Sequence, residues 1–126
     1  HQTNQMQLGD LSTFPLSDEE LIVVLSNLLD NAFNACMAVS SFEERKVLLK
    51  MRKEEAAGFL YLENRTAHDV EILDNKIVAP KNKSIEHGYG LKNVTAILEN
   101  INALYVFDYN SQKHLFSFSA QFPISR

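Results

Sequence analysis

The feature that most constrains the fold of this chain is a long apolar helix predicted over residues 17–39. Ser17 is suited to be the N-cap, and Glu20 three residues later completes a capping box. Asp18 and Glu19 suit the positive end of the helix dipole. Apolar residues then cover most of the circumference: Leu21, Ile22, Val23, Val24, Leu25, Leu28, Leu29, Ala32, Phe33, Ala35 and Cys36. So little polar surface predicts that the helix is buried against the rest of a folded domain.

Three asparagines interrupt this apolar helix along a single stripe. Asn27, Asn31 and Asn34 are separated by four and three residues, which places their side chains on one face. Asparagine is a weak helix former, and a solvent-facing stripe would ordinarily carry lysine, arginine, glutamate or glutamine. No lysine or arginine occurs between Ser17 and Ser41. The stripe indicates either a polar ligand site or amides bonded to neighbouring backbone, and these residues alone favour neither interpretation.

Composition limits the class of protein. With 126 residues, 45% of them hydrophobic, the chain is long enough for one globular domain with its own core. No apolar run exceeds five residues, so the sequence predicts no membrane span and no membrane contact. The formal net charge of -4 disfavours nucleic acid as a partner. Cys36, the single cysteine, is predicted to be a reduced core residue.

The rest of the chain alternates between strand-like and helical patterns. Residues 1–15 are polar and are predicted to form a lead-in arm, and residues 16–126 to form the domain. Apolar residues at helical spacing predict a second helix after residue 90, and a long loop is predicted at 65–86. Strands are predicted at 42–53, 59–64, 104–109 and 114–122. This order predicts an α+β fold, a two-layer sandwich in which helices cover one face of a sheet.

A second polar motif, H-G-Y-G-L-K-N at residues 87–93, leads into the second predicted helix. Gly88 and Gly90 would let the backbone approach an anion, towards which the free N–H groups of a helix start would point. Lys92 adds a positive charge and Asn93 a donor. An ordinary turn is the favoured explanation of the glycines taken alone. The motif is neither a P-loop nor a dinucleotide fingerprint, because it lacks the P-loop pattern and follows a loop.

Together, the asparagine helix and the glycine motif resemble the Bergerat-fold ATPases, which include gyrase, the ninety-kilodalton heat-shock protein, the MutL repair proteins and sensor histidine kinases. In that group a helix carries the metal-binding asparagine, and a glycine-containing ATP lid leads into a later helix. The resemblance covers residues 16–123 and implies a mixed, mostly antiparallel sheet. Gyrase-like members carry E-x-x-x-N, whereas Asn27 and Asn31 give N-x-x-x-N, as in histidine kinases. Losing the glutamate removes the base that would activate water for hydrolysis.

Within this group the chain resembles the quorum-sensing receptor kinases of the AgrC type from Gram-positive bacteria. Three segments carry the resemblance: S-N-L-L-D-N-A-F-N-A at 26–35, a strand ending at Asn64, and a lysine-bearing lid at 81–93. The D-x-G-x-G box of other histidine kinases, whose aspartate reads the adenine amino group, is missing, because glycine occurs only at positions 9, 58, 88 and 90. The resemblance implies that Asn64 replaces that aspartate.

The resemblance also implies the members of an ATP site. Asn31 would be the protein ligand of Mg²⁺, for which an amide oxygen is suitable. Lys81 would be the lysine of the lid, and no side chain of the domain would act as a catalytic acid or base. The residues implied in ATP binding are Asn27, Asn31, Asn34, Asn64, Lys81, His87, Gly88, Gly90, Leu91, Lys92 and Asn93.

The implied function is the ATP-binding catalytic domain of a two-component sensor histidine kinase. Such a kinase transfers the γ-phosphoryl group to a histidine on a dimerising helical hairpin, and His1 is a poor candidate because its neighbours Gln2, Thr3 and Asn4 do not resemble that motif. We therefore expect the acceptor on a dimerisation domain of the same protein, with a response regulator as an indirect partner. The expected location is the cytoplasmic side of a membrane-bound receptor. Two alternatives are a hydrolysing ATPase of the same fold and a nucleotide-free interaction module.

Overall fold

A five-stranded sheet and two long helices make up the domain. The computed structural model describes residues 3–9, 14–78 and 86–124, and for residues 3 and 86–90 the description is limited to the backbone. The elements in chain order are β1 (Thr3–Leu8), α1 (Asp18–Met37), a short 3-10 helix (Phe42–Glu44), β2 (Lys46–Lys53), β3 (Ala57–Arg65), β4 (Glu71–Leu73), β5 (Lys76–Val78), α2 (Glu86–Asn100), β6 (Leu104–Asn110) and β7 (Leu115–Pro123).

The main sheet has the strand order β1-β2-β3-β7-β6, and β4 and β5 form a separate hairpin. β1 runs parallel to β2, and the other neighbours in the main sheet are antiparallel. The predicted α+β sandwich with a mixed, mostly antiparallel sheet is therefore confirmed. No helix within the described ranges is long and apolar enough to cross a bilayer.

The core lies between the helices and one face of this sheet, which we call the inner face. α1 contributes Val24, Leu28, Ala32 and Cys36, each four residues from the next, so that one side of the helix is buried. α2 contributes Val94 and Leu98, as its predicted apolar face requires, and Ile101 directly after the helix is also buried. Strand β7 alternates, and its inner-face residues are buried: Phe116, Phe118, Ala120 and Phe122. Burial also raises the pKa of the Cys36 thiol, as expected for a core cysteine.

The capping box predicted at Ser17 starts α1 and so sets the helical phase of the asparagines. The Ser17 hydroxyl accepts a hydrogen bond from the Glu20 N–H at 3.1 Å, and the Ser17 N–H donates to Glu20 Oε1 at 2.9 Å. Two N–H groups that the helix itself cannot satisfy thereby gain partners.

We expect Ser17→Ala to lower the free energy of unfolding by about 1 kcal/mol, because one of these N–H groups loses its acceptor. Urea denaturation followed by circular dichroism measures this change. Ser41→Ala is the matched control, since Ser41 is also an N-cap residue but makes no side-chain capping bond. A loss at Ser17 no larger than the loss at Ser41 would contradict the capping role.

Residues 3–8 differ from the lead-in arm predicted for residues 1–15. They form β1, an edge strand whose Met6 lies beside Leu49 and whose Leu8 lies beside Met51 of β2. Met6 and Leu8 alternate with glutamines, and this period of two is the signal for the strand. The signal is weak, because only two apolar residues alternate with polar ones. Both apolar side chains are more than half exposed, so β1 lacks the buried face that most strands have.

The prediction of a long loop at 65–86 was wrong for the middle of this range. Residues 71–78 form the β4–β5 hairpin, in which Leu73 pairs with Lys76. Asp74 and Asn75 make the turn with φ values of 51° and 58°. Positive φ at both central residues is the conformation of a type I′ turn, which aspartate and asparagine tolerate. The dipeptide was therefore a usable hairpin signal.

Candidate active site

The asparagines of α1 occupy three different environments. Asn27 is half-buried, and its Nδ2 donates to the carbonyl oxygen of Val23 at 2.9 Å, one turn earlier on the same helix. Asn31 is also half-buried, but its carboxamide makes no hydrogen bond with any described residue. Asn34 is exposed. The amide of Asn31 therefore remains available to a ligand, whereas the amide of Asn27 is partly used by the backbone.

Most of the α1 circumference is buried or half-buried, as its composition predicts, and one narrow side is exposed. Ser26, Asp30 and Asn34 are exposed along one side of α1, together with Ile22, whose side chain is 67% exposed. A step of three residues falls about 60° short of a full helical turn, so Asn34 lies further towards the solvent than Asn31. The stripe of three asparagines thus runs from the flank of the helix to its exposed side.

Asn64 lies near the end of β3, on the inner face, and is only 1% exposed. It pairs with Val47 of β2 on one side and with Phe116 of β7 on the other. Its Nδ2 donates to the carbonyl oxygen of Arg65 at 3.1 Å, and its carboxamide oxygen accepts no hydrogen bond from a described residue. A buried amide so oriented can accept one further hydrogen bond from a ligand.

The glycine turn predicted ahead of the second helix is part of that helix. α2 begins at Glu86, so that the backbone of His87, Gly88 and Gly90 is helical and the motif lies in the first turns. The first N–H groups of a helix lack partners within the helix, so this position still provides N–H donors. Leu91 is half-buried against the core, and Lys92 and Asn93 are exposed.

The fold brings the elements that carry these residues together. α1 packs against both β3 and α2, so Asn31 lies on the helix that separates the strand carrying Asn64 from the helix carrying Asn93. Lys81 lies outside the described residues. For His87, Gly88 and Gly90 only the backbone position is described.

The fit of Mg²⁺ to the predicted site depends on Asn31. Mg²⁺ prefers oxygen ligands and usually retains water and phosphate oxygens in its coordination shell. The uncommitted, half-buried carboxamide of Asn31 meets that requirement for one protein ligand. Across the described ranges, no group of three or more histidine, cysteine, aspartate or glutamate side chains could hold a metal ion.

A wide depression of about 1090 Å³ lies on the opposite, outer face of the sheet and contains none of the predicted site residues. Lys46 Nζ and Glu63 Oε2 are 2.7 Å apart there, and the Tyr61 hydroxyl donates to Glu63 Oε1 at 2.6 Å. Burial alone would raise the pKa of Glu63, but these two bonds and the positive charges of Lys46 and Lys50 together outweigh it and lower that pKa. Burial and the same carboxylate raise the pKa of Tyr61 to about 12.

Two further polar side chains that join separate parts of the fold were missed by the sequence analysis. Asn75 of the hairpin turn bonds to the backbone of β6, and the Tyr109 hydroxyl bonds to Asp69. Neither residue belongs to a motif, and both partners are at least 30 positions away in sequence. Only the Asp74–Asn75 turn signal could have drawn attention to this region.

A family model described as the GHKL domain matches residues 16–121. The chain belongs to the GHKL family. The model covers α1, β3 and α2, the three elements on which the predicted amides lie. A search among curated proteins found no significant match to this GHKL domain.

Solved structures of histidine kinases share the fold of this GHKL domain. The histidine kinase AdeS of Acinetobacter baumannii superposes with a TM-score of 0.65 at 17% identity, over 98% of this chain and 55% of AdeS. The nucleotide-free catalytic domain of the histidine kinase ThkA gives a TM-score of 0.69 at 16% identity, over 96% and 78%. The blue-light activated histidine kinase EL346 of Erythrobacter litoralis gives 0.64 at 14%, over 98% and 35%.

This chain therefore spans about half the length of AdeS and about a third of the length of the blue-light activated kinase. Identities below one fifth support the fold and leave the activity to be argued from the residues of this chain.

Proposed function

We propose that this GHKL domain binds Mg²⁺-ATP and is the catalytic domain of a two-component sensor histidine kinase. The observation that carries the proposal is the half-buried Asn31 carboxamide, which makes no hydrogen bond with a described residue although it lies at the metal-ligand position of the family motif. Because this amide is partly exposed and has no partner among the described residues, it can bind a ligand without first breaking an internal hydrogen bond.

The other residues of the proposed site divide between the two ends of the nucleotide. Asn64 would accept a hydrogen bond from the adenine amino group through its free oxygen. The N–H groups at the start of α2 would face the phosphates, together with Lys92, Asn93 and, outside the described residues, Lys81. Bound Mg²⁺ would neutralise charge on the phosphate oxygens. Asn27 and Asn34 would complete the polar surface along α1. The remaining members of the proposed site belong to the α2 motif: His87, Gly88, Gly90 and Leu91.

The proposed reaction is phosphoryl transfer to a histidine rather than hydrolysis. Asn27 occupies the position of the hydrolytic glutamate, and its amide is turned towards the carbonyl oxygen of Val23 at 2.9 Å. An amide cannot remove a proton from water at neutral pH. Catalysis would then consist of holding the γ-phosphoryl group in position and balancing its charge, which is sufficient for phosphoryl transfer.

The acceptor histidine would lie on a dimerisation domain of the same protein, and a response regulator would receive the phosphoryl group next. Among histidine kinases we assign the domain to the AgrC-like quorum-sensing branch, because Asn64 stands where other branches have the aspartate of the D-x-G-x-G box. In that branch the domain would lie on the cytoplasmic side of a membrane receptor in a Gram-positive bacterium.

The outer face of the sheet supports a second candidate function, a nucleotide-free interaction module. Leu104 is 69% exposed and Val106 is 56% exposed, and both border the 1090 Å³ depression. Adjacent exposed apolar side chains are a common feature of protein–protein contact surfaces. This alternative requires no nucleotide, and so a binding measurement separates it from the first.

Calorimetric titration of the chain with ATP and ADP, in Mg²⁺ and in EDTA, tests the proposal. We expect both nucleotides to bind, with ATP bound about tenfold more tightly in Mg²⁺, which corresponds to about 1.4 kcal/mol. No binding at millimolar nucleotide would overturn the proposal and favour the interaction module. Steady release of phosphate from ATP by the chain alone would instead favour the hydrolysing ATPase.

A further inference from the structure

One carboxamide of the β4–β5 hairpin hydrogen-bonds to the exposed edge of β6. Asn75 Nδ2 donates to the carbonyl oxygen of Tyr105 at 2.8 Å, and Asn75 Oδ1 accepts a hydrogen bond from the N–H of Phe107, also at 2.8 Å. The side-chain amide thus bonds to β6 as the peptide group of an adjacent strand would. It also occupies edge groups that would otherwise be open to another strand.

The residue that makes these two hydrogen bonds is also a turn residue of the hairpin. Asn75 is one of the two turn residues with positive φ, so its backbone and its side chain are fixed at the same place. Ile72 and Ile77, paired across the hairpin, both pack against the core. The apolar contacts of Ile72 and Ile77 and the two hydrogen bonds of the Asn75 side chain therefore hold the hairpin beside β6.

A second attachment lies near the other end of β6. The Tyr109 hydroxyl donates to Asp69 Oδ1 at 2.9 Å and accepts a hydrogen bond from Thr66 Oγ1 at 3.4 Å. Thr66 is also held through its backbone, because its N–H donates to the carbonyl oxygen of His114 at 2.9 Å. His114 Nδ1 lies 3.3 Å from the same Tyr109 hydroxyl. Residues 66–75 are therefore attached to β6 at both ends.

This attached segment begins next to the adenine end of the proposed site. Asn64 precedes Thr66 by two residues, and its Nδ2 is bonded to the carbonyl oxygen of the intervening residue, Arg65. The orientation of that carbonyl depends on where the chain goes next, which Thr66 and Tyr109 determine. Because Nδ2 is already engaged, the Asn64 amide can present only its oxygen to a base.

We propose that Asn75 and Tyr109 are positioning residues that hold Asn64 as a hydrogen-bond acceptor and so give the site its preference for adenine. The inference rests on the proposed ATP-binding function. A base with a keto group at the same position, as in inosine triphosphate, would place oxygen against oxygen and leave a buried polar group unpaired.

The test compares ATP with inosine triphosphate on the full chain and on two variants. We expect the unchanged chain to prefer ATP at least about fivefold, the effect of one unpaired buried polar group. Asn75→Ala and Tyr109→Phe should each reduce that preference about threefold or more, because the Asn64 amide gains freedom to turn. A change in stability alone would not alter the ratio of the two affinities. Hydrogen exchange at the Phe107 N–H should accelerate in Asn75→Ala without any nucleotide.

Asn110→Ala is the matched control. Asn110 Oδ1 also accepts two backbone hydrogen bonds, from the N–H groups of Gln112 and Lys113 at 3.0 Å, and both donors lie in the β6–β7 turn and not in the hairpin. The Asn110→Ala variant should prefer ATP over inosine triphosphate as strongly as the unchanged chain does. If Asn75→Ala does not fold, Tyr109→Phe decides the question, because it removes only a hydroxyl group.

The outcomes distinguish the positioning role of Asn75 and Tyr109 from ATP binding itself. An unchanged preference in Tyr109→Phe and in folded Asn75→Ala, with selective binding by the unchanged chain, would overturn the positioning role and leave ATP binding intact. Absence of binding by the unchanged chain would overturn both. A reduced preference in the variants and a normal one in Asn110→Ala would support the proposal.

Discussion

Asn31→Ala should bind ATP equally in Mg²⁺ and in EDTA. The carboxamide of Asn31 is half-buried and makes no hydrogen bond with a described residue, so its removal takes away the proposed metal ligand without breaking an observed bond. The expected loss is the whole Mg²⁺-dependent part of the affinity, about tenfold or 1.4 kcal/mol. Calorimetric titration with and without EDTA measures it directly.

Two further variants separate metal binding from other effects of the substitution. Asn31→Asp replaces the amide by a carboxylate, a strong Mg²⁺ ligand, and should retain or increase the metal dependence. Asn100→Ala removes an exposed asparagine at the C-terminal end of α2, and the proposed phosphate contacts lie at the N-terminal end. This variant should leave the titration unchanged. If Asn31→Ala still binds ATP more tightly in Mg²⁺, the assignment of Asn31 as the metal ligand is wrong.

The parts of the fold that depend on local pattern were predictable. Ser17 and Glu20 form the predicted capping box, and the apolar spacing from Leu91 to Ile101 correctly predicted the buried face of α2. The alternation along β7 also predicted its buried phenylalanines. In each case the signal lies within a few residues, because a helix or strand repeats its own period.

The Asp74–Asn75 turn is a local signal for the β4–β5 hairpin, but the position of the hairpin depends on distant contacts and was not predictable from the pattern. The β4–β5 hairpin has only three residues in each strand, and its position depends on Asn75 bonding to β6, 30 and 32 residues away. Neither bond leaves a trace in local sequence. The start of α2 was misplaced for another reason: glycine ordinarily ends or precedes a helix, and here Gly88 and Gly90 lie inside one.

The candidate site was likewise predictable only where it depends on local spacing. Spacing alone placed Asn27, Asn31 and Asn34 on one stripe, but it could not distinguish the uncommitted amide from the one bonded to Val23 or from the exposed one. That distinction depends on the side from which the sheet and α2 approach the helix. Asn64 entered the prediction through resemblance; the structure places it in the core at 1% exposure, and its role in binding adenine stays a prediction.

Phe118→Ala should cause the largest loss of stability, about 3–5 kcal/mol. Phe118 is fully buried on β7, lies opposite Leu62 and Phe107, and has its ring centre 5.1 Å from that of Phe107. A loss of this size is a large share of the total stability of a small domain. Urea denaturation measures it, with Leu104→Ala as the control, because Leu104 is 69% exposed and should cost no more than about 0.5 kcal/mol. Since Leu62 precedes Asn64 by two residues on β3, the cavity would also lie close to the proposed adenine contact. Equal losses in the two variants would mean that the inner face of β7 is not the centre of the core.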